Sequence, residues 1–172
     1  GQLFDFELLV VVAWAAVIFS LASSVVYLFN DTIDAPLDRK HPFKRKRPIA
    51  SGALSIPVAI FLTVLGLVVS LLLAIRLDYF FFLIVLSYLV LQLLYTVKLK
   101  HVAIIDLLVI ATGFILRVYS GAVVVDAHLS VWFLLCVVAA SLLLAVGKRR
   151  AELSLLASKA ASVRATLGGY PE

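Results

Sequence analysis

Apolar residues run in five stretches, each long enough to cross a bilayer, parted by short polar segments. They are Phe6–Phe29, Ser55–Ile75, Tyr79–Val97, Val102–Val125 and Leu129–Gly147. A membrane helix needs about 20 residues, whereas a barrel shows alternating strands of about ten. Each stretch is therefore predicted as a transmembrane helix, the form that satisfies its own backbone in lipid. Ser55 fits an N-cap for the second, with Pro57 in its first turn. Only Arg76, Leu77 and Asp78 part the second stretch from the third, which predicts an antiparallel hairpin. A short turn around Asp126 and His128 predicts the same for the fourth and fifth. In the tail, residues 151–172, Leu153, Leu156, Ala160, Val163 and Leu167 recur at helical steps, with Lys159 and Arg164 elsewhere on the wheel. This predicts an amphipathic cytoplasmic helix lying on the membrane, stopped by Gly168 and Gly169.

Composition strengthens the membrane assignment. Of 172 residues, 64% are hydrophobic and 15% charged, against roughly 45–50% and about 25% in soluble domains. The fold class is thus an all-α polytopic helix bundle, a single transmembrane domain over residues 1–172. The odd number of spans and the abrupt end at Tyr170, Pro171 and Glu172 suggest a partial chain. The net charge of +5 gathers in a few loops, so no nucleic-acid groove is expected. Cys136 stands alone in an apolar run and has no intrachain disulfide partner. No signal peptide is expected, because the first stretch follows acids rather than lysines and is too long for an h-region. Six Lys or Arg residues follow the first span, Lys98 and Lys100 follow the third, and Lys148, Arg149 and Arg150 follow the fifth. The opposite loops hold only Arg76. The positive-inside rule then puts the three basic segments in the cytoplasm, in agreement with strict alternation of the helices.

The candidate chemistry sits in those same segments. Asn30, Asp31, Asp34 and Asp38 close the first span, with carboxylates at i, i+3 and i+7 near one helical face. Crowded carboxylates repel unless a cation binds there, and hard oxygen ligands suit Mg²⁺ held together with substrate phosphates. A solvated polar helix end is the plainer alternative. Pro36 interrupts the motif, which predicts that Asp38 lies past the helix end, in a loop. Arg39 and Arg47 fit phosphate ligands through their planar forks. Lys44, Arg45 and Lys46 are better explained by orientation alone, and His41 by loop hydrogen bonding. Tyr95, Lys98 and Lys100 suit either interfacial anchoring or phosphate binding. Arg117 lies deep in the fourth span, where a cation faces a partner or a cavity. Asp106, eleven residues earlier, is one candidate partner. Gly113 and Gly121 thin that face, as close helix packing also would. Lys148, Arg149 and Glu152 end the fifth span, where helix-dipole compensation or anion binding explains the cations.

These segments resemble the UbiA-type intramembrane prenyltransferase superfamily. Its N-D-x-x-D-x-x-x-D signature is met by Asn30, Asp31, Asp34 and Asp38. RPIASG after the basic loop and GKRRAEL at the fifth span are similar to its decaprenyl-phosphate phosphoribosyltransferase branch. The resemblance implies nine transmembrane helices around a cavity open sideways to lipid. Ordinary members carry a second aspartate-rich motif where this chain has Lys148, Arg149, Arg150 and Glu152. Exchanging acids for bases turns a metal site into an anion site.

The function expected is Mg²⁺-dependent transfer of a 5-phosphoribosyl group from 5-phosphoribosyl 1-diphosphate to a polyprenyl phosphate. Asp31, Asp34 and Asp38 would be catalytic and, with Asn30, metal-binding. Arg39, Arg47, Tyr95, Lys98, Lys100, Arg117, Lys148, Arg149 and Glu152 would contact substrates. The expected location is a plasma membrane, with the active site facing the cytoplasm. Association of copies into a homo-oligomer is left open. The alternatives are prenyl transfer to an aromatic acceptor and a non-catalytic transporter or scaffold subunit.

Overall fold

The computed structural model describes residues 6–101 and 103–156. Its elements are α1 (Phe6–Asp38), a 3-10 turn (Lys44–Lys46), α2 (Pro48–Ser51), α3 (Ile56–Leu77), α4 (Tyr79–Val97), a second 3-10 turn (Leu99–His101), α5 (Ala103–Val124) and α6 (Val131–Leu156). The described residues are all helical or connecting. Five helices are long and apolar enough to cross a membrane. The burial pattern suits lipid: Phe61, Trp132 and Leu143 are exposed, while Thr63, Ser70 and Ser141 are buried. The buried hydroxyls donate within their own helices, as Thr63 does to Ala59 O at 2.8 Å and Ser141 to Val137 O at 2.6 Å. These hydroxyls need not then be offered unpaired to hydrocarbon.

The chain forms two compact units, Gly1–Val90 with Leu116–Leu129, and Leu91–Ile115 with Ser130–Glu172. The core of the first joins Ala15, Ile18, Phe19, Ala22 and Val26 of α1 to Ala74 of α3 and to Phe81, Val85, Tyr88 and Leu89 of α4. Helix α1 packs most extensively on α3. Gly66 marks the close approach, since a Cβ there would stand 2.6 Å from Val25 Cγ2. Gly121 has open space around it, so it is not a helix-packing contact of the kind its position suggested. In the second unit the buried residues include Thr96, Lys100, Asp106, Val109, Ala111 and Ala145.

Two local expectations change, and one turn stands where it was expected. Arg76 and Leu77 continue α3, leaving Asp78 as a one-residue joint rather than part of a three-residue turn. Asp78 Oδ1 accepts the Phe81 amide at 2.7 Å and so caps α4. The expected turn follows α5, with Asp126 left-handed (φ 50°) and Ala127 N bonded to Ala122 O at 2.9 Å. Most consequential, α1 runs through Pro36 to Asp38. Proline in a helix interior costs about 3 kcal/mol. Tertiary contacts offset it: Ala35 is buried beside Ile49 and Ala59, with Leu28 and Leu54 packed around them. The tail's amphipathic pattern falls mainly on residues 157–172, outside the described residues.

Candidate functional site

The end of α1 is built by its own length. Because the helix does not stop at Pro36, Asp38 keeps helical register with Asp31, about 10 Å further along the axis. The chain then turns: His41 Nδ1 accepts the amides of Phe43 and Lys44, each at 3.2 Å. This is the loop role its sequence suggested. Arg47 follows in extended conformation (φ −61°, ψ 145°), with Pro48 opening α2. That backbone aims Arg47 back at α1. Its Nη1 donates to Asp31 Oδ1 at 2.7 Å and to Asp38 Oδ2 at 2.9 Å. Asp38 is nearly enclosed, its side chain 8% exposed, while Asp31 and Arg47 are 25% and 37% exposed. The side chain of Asn30 hydrogen-bonds Asp31. Asp34 is half-buried one turn from Asp31.

Two carboxylates therefore already converge on one cation, the guanidinium. Among the described residues no three His, Cys, Asp or Glu side chains form a ready metal cage. Mg²⁺ seldom needs one, because one or two carboxylates and substrate phosphates usually complete its shell. The oxygen donors of Asp31 and Asp34 fit that role.

A second polar constellation lies deeper in the same unit. Arg117 Nη2 donates to Ser23 Oγ at 2.9 Å and to Tyr88 OH at 3.5 Å. Its guanidinium lies 5.5 Å from the Phe19 ring centre and 5.9 Å from that of Tyr88. Tyr88 OH in turn donates to Ser23 Oγ at 3.3 Å. Ser23 is eight residues before Asp31, about 12 Å along α1. Asp106 is not the counter-ion that sequence offered for Arg117. Eleven residues span about 16 Å of helix, too far for a direct pair, and Asp106 instead accepts from Tyr95 OH at 2.5 Å.

The remaining candidates are placed as follows. Arg39, Lys98 and Lys148 are exposed, Tyr95 is half-buried, and Lys100 is buried. The side chains of Arg149 and Glu152 lie outside the described set. The structure brings together Asn30, Asp31, Asp38 and Arg47, and separately Tyr95 with Asp106. Sequence reasoning missed Phe19, Ser23 and Tyr88. The only signal at Ser23 and Tyr88 was a polar tip within apolar spans, which single serines and tyrosines also show without any partner, and Phe19 gave none.

A multi-span helical bundle whose first span ends in clustered carboxylates defines an intramembrane protein with a polar site at the end of an apolar span. Residues 1–148 match the UbiA prenyltransferase family, and the chain belongs to it. It is 41% identical over 159 residues to decaprenyl-phosphate phosphoribosyltransferase of Mycolicibacterium smegmatis, covering 92% of this chain and 50% of the relative. The protein of that name from Mycobacterium tuberculosis is 40% identical over 175 residues, covering 99% and 57%. The chain thus spans about half the length of the curated relatives it matches. A UbiA homolog from Archaeoglobus fulgidus, bound to DMAPP and Mg2+, shares the fold with a TM-score of 0.73 at 18% identity. The match covers 91% of this chain and 56% of that one.

Proposed function

We propose that the protein transfers a 5-phosphoribosyl group from 5-phosphoribosyl 1-diphosphate to a polyprenyl phosphate, with Mg²⁺ and with release of pyrophosphate. One observation carries this reading: Asp31 and Asp38 converge on Arg47 at the end of a membrane-length helix. The relatives named decaprenyl-phosphate phosphoribosyltransferase supply the substrate class.

Mg²⁺ bound there would neutralise charge on the departing diphosphate. Asp31 and Asp34 would hold it, with Asn30 orienting Asp31. Arg47 fixes Asp38 and Asp31 through Nη1 alone. The rest of its planar fork is suited to a phosphate oxygen. As the bond from sugar C1 to the diphosphate oxygen breaks, the sugar becomes oxocarbenium-like. A polyprenyl phosphate is already anionic at neutral pH, so its oxygen attacks without a general base. Placement in line is the task left to the protein. Lys148 and Arg149, in the C-terminal part of α6, are assigned to phosphate binding by their charge. The active end faces the cytoplasm in this reading, following the positive-inside rule.

The test offers the protein in bilayers either labelled phosphoribosyl diphosphate with a polyprenyl phosphate or a labelled prenyl diphosphate with an aromatic acceptor. Label entering the lipid only from the sugar donor supports the proposal. Transfer only from the prenyl donor replaces it with prenyl transfer. Metal-dependent thermal stabilisation without turnover of either donor replaces it with a non-catalytic role.

A further inference from the structure

We infer that the loop from Arg39 to Lys46 is a docking surface for anionic lipid headgroups, with the Phe43 ring set among acyl chains and Arg45 and Lys46 on the lipid phosphates. This goes beyond the proposed transfer reaction and does not depend on it.

The loop and the helices around it belong to one compact unit. Val25 of α1 lies against Gly66 of α3, and Ala35 of α1 clusters with Ala59 of α3. The two helices therefore run antiparallel, and Ile56, three residues before Ala59, stands level with the last turn of α1. Ile56, Val58 and Phe61 are exposed, and so are Ile33 and Leu37, one turn apart on α1. In a membrane-spanning bundle, a continuous exposed apolar surface faces hydrocarbon. That surface reaches to within about one turn of Arg39, so the loop starts at the boundary between acyl chains and headgroups.

The loop then folds over His41, whose Nδ1 accepts the amides of Phe43 and Lys44. That turn leaves Phe43 67% exposed. Arg39, Lys40, Arg45 and Lys46 are exposed on either side of it. None of these four forms an ion pair among the described residues, and no Asp or Glu occurs between Asp38 and Asp78. An apolar ring amid unpaired cations matches an anionic amphiphile, with chains for the ring and a phosphate for the charges. A free phosphate would engage the cations and leave the ring in water, so the ring decides for a lipid. Orientation by the positive-inside rule uses the charges and has no need of the ring.

The test places Phe43→Trp in the Trp14→Phe, Trp132→Phe background and reconstitutes it in phosphatidylcholine vesicles. Part of the lipid carries bromine on its acyl chains, as phosphatidylglycerol or as phosphatidylcholine at the same fraction. Each cation near an anionic surface enriches it about five-fold. Brominated phosphatidylglycerol should therefore quench the Trp at least about two-fold more than brominated phosphatidylcholine, a margin within that enrichment. Adding Arg45→Gln and Lys46→Gln should bring the ratio close to one while both lipids still quench. Salt at about 1 M, where the screening length falls to about 3 Å, should do the same. Should the background fail to fold, the ratio is read from the quenching that Phe43→Trp adds to the unsubstituted protein. Equal quenching by the two lipids would overturn the inference and leave the cations to orientation alone. Quenching by aqueous iodide with none from either lipid would overturn it by placing the loop in water. Either result leaves the proposed transfer reaction untouched.

Discussion

Arg47 and Arg117 show two ways of holding a guanidinium in one compact unit. Arg47 is matched charge for charge, by carboxylates at the end of α1. Arg117 meets a serine hydroxyl, a phenol and two aromatic faces. At the helix end, three acids close together need a cation, and the arginine is one member of a set that also suits a metal. Within the apolar span, hydroxyls and aromatic faces stabilise the cation, each contact contributing about 0.5–2 kcal/mol. In the proposed function the first arrangement exchanges charge with a ligand. The second ties α1, α4 and α5 together.

The largest effect should come from the acidic end. Asp31→Asn and Asp34→Asn should each lower phosphoribosyl transfer about a thousand-fold, comparable with loss of a principal electrostatic stabiliser. Chelation with EDTA should abolish transfer, and added Mg²⁺ should restore it. Label transfer to lipid is the measurement in both cases.

Arg47→Ala should lower transfer roughly a hundred-fold, because Asp38 and Asp31 lose the group that holds them. Arg47→Lys should recover only part of this, since an ammonium cannot both bridge the pair and present a fork. Equal activity of the Lys and unsubstituted proteins would remove the distinction between a fork and a point charge.

At Arg117 the comparison predicts a different profile. Arg117→Lys should lower thermal stability by about 1 kcal/mol through lost stacking and hydrogen bonding. Stability of the unsubstituted protein should respond little to salt through this contact, whereas the partly exposed Arg47 pairs are screened. A thermal-shift series from low to high salt, run on Arg117→Lys and Arg47→Lys, separates the two. The smallest effect belongs to Ser23→Ala, about 0.5 kcal/mol, the low end for one net hydrogen bond. A stability change in Ser23→Ala matching that of Arg117→Lys would show that the serine carries the whole contact.

Much of this was legible in the chain because lipid leaves few choices. Five apolar runs became five helices, with Tyr79–Val97 matching residue for residue. The acids were legible as a group because their spacing is helical. What escaped was tertiary. A proline within a helical pattern argues for a break, and nothing local reveals that Ala35 is buried against Ile49 and Ala59. Asp106 and Arg117 share a helix in sequence, yet their partners come from elsewhere, Tyr95 for one and Ser23 with Tyr88 for the other. Polar residues within apolar spans announce that they need partners without saying which. The 2.6 Å approach at Gly66 is also invisible without α1 beside α3.

The central claim is that the carboxylates around Arg47 hold a magnesium-bound sugar diphosphate. It is tested most directly by Mg²⁺ titration of phosphoribosyl transfer to a polyprenyl phosphate, in the unsubstituted protein and in Asp31→Asn. The account predicts saturable Mg²⁺ activation in the former and a residual rate in the latter that rises, if at all, only at far higher Mg²⁺. The same Mg²⁺ dependence and the same maximal rate in both proteins would contradict it.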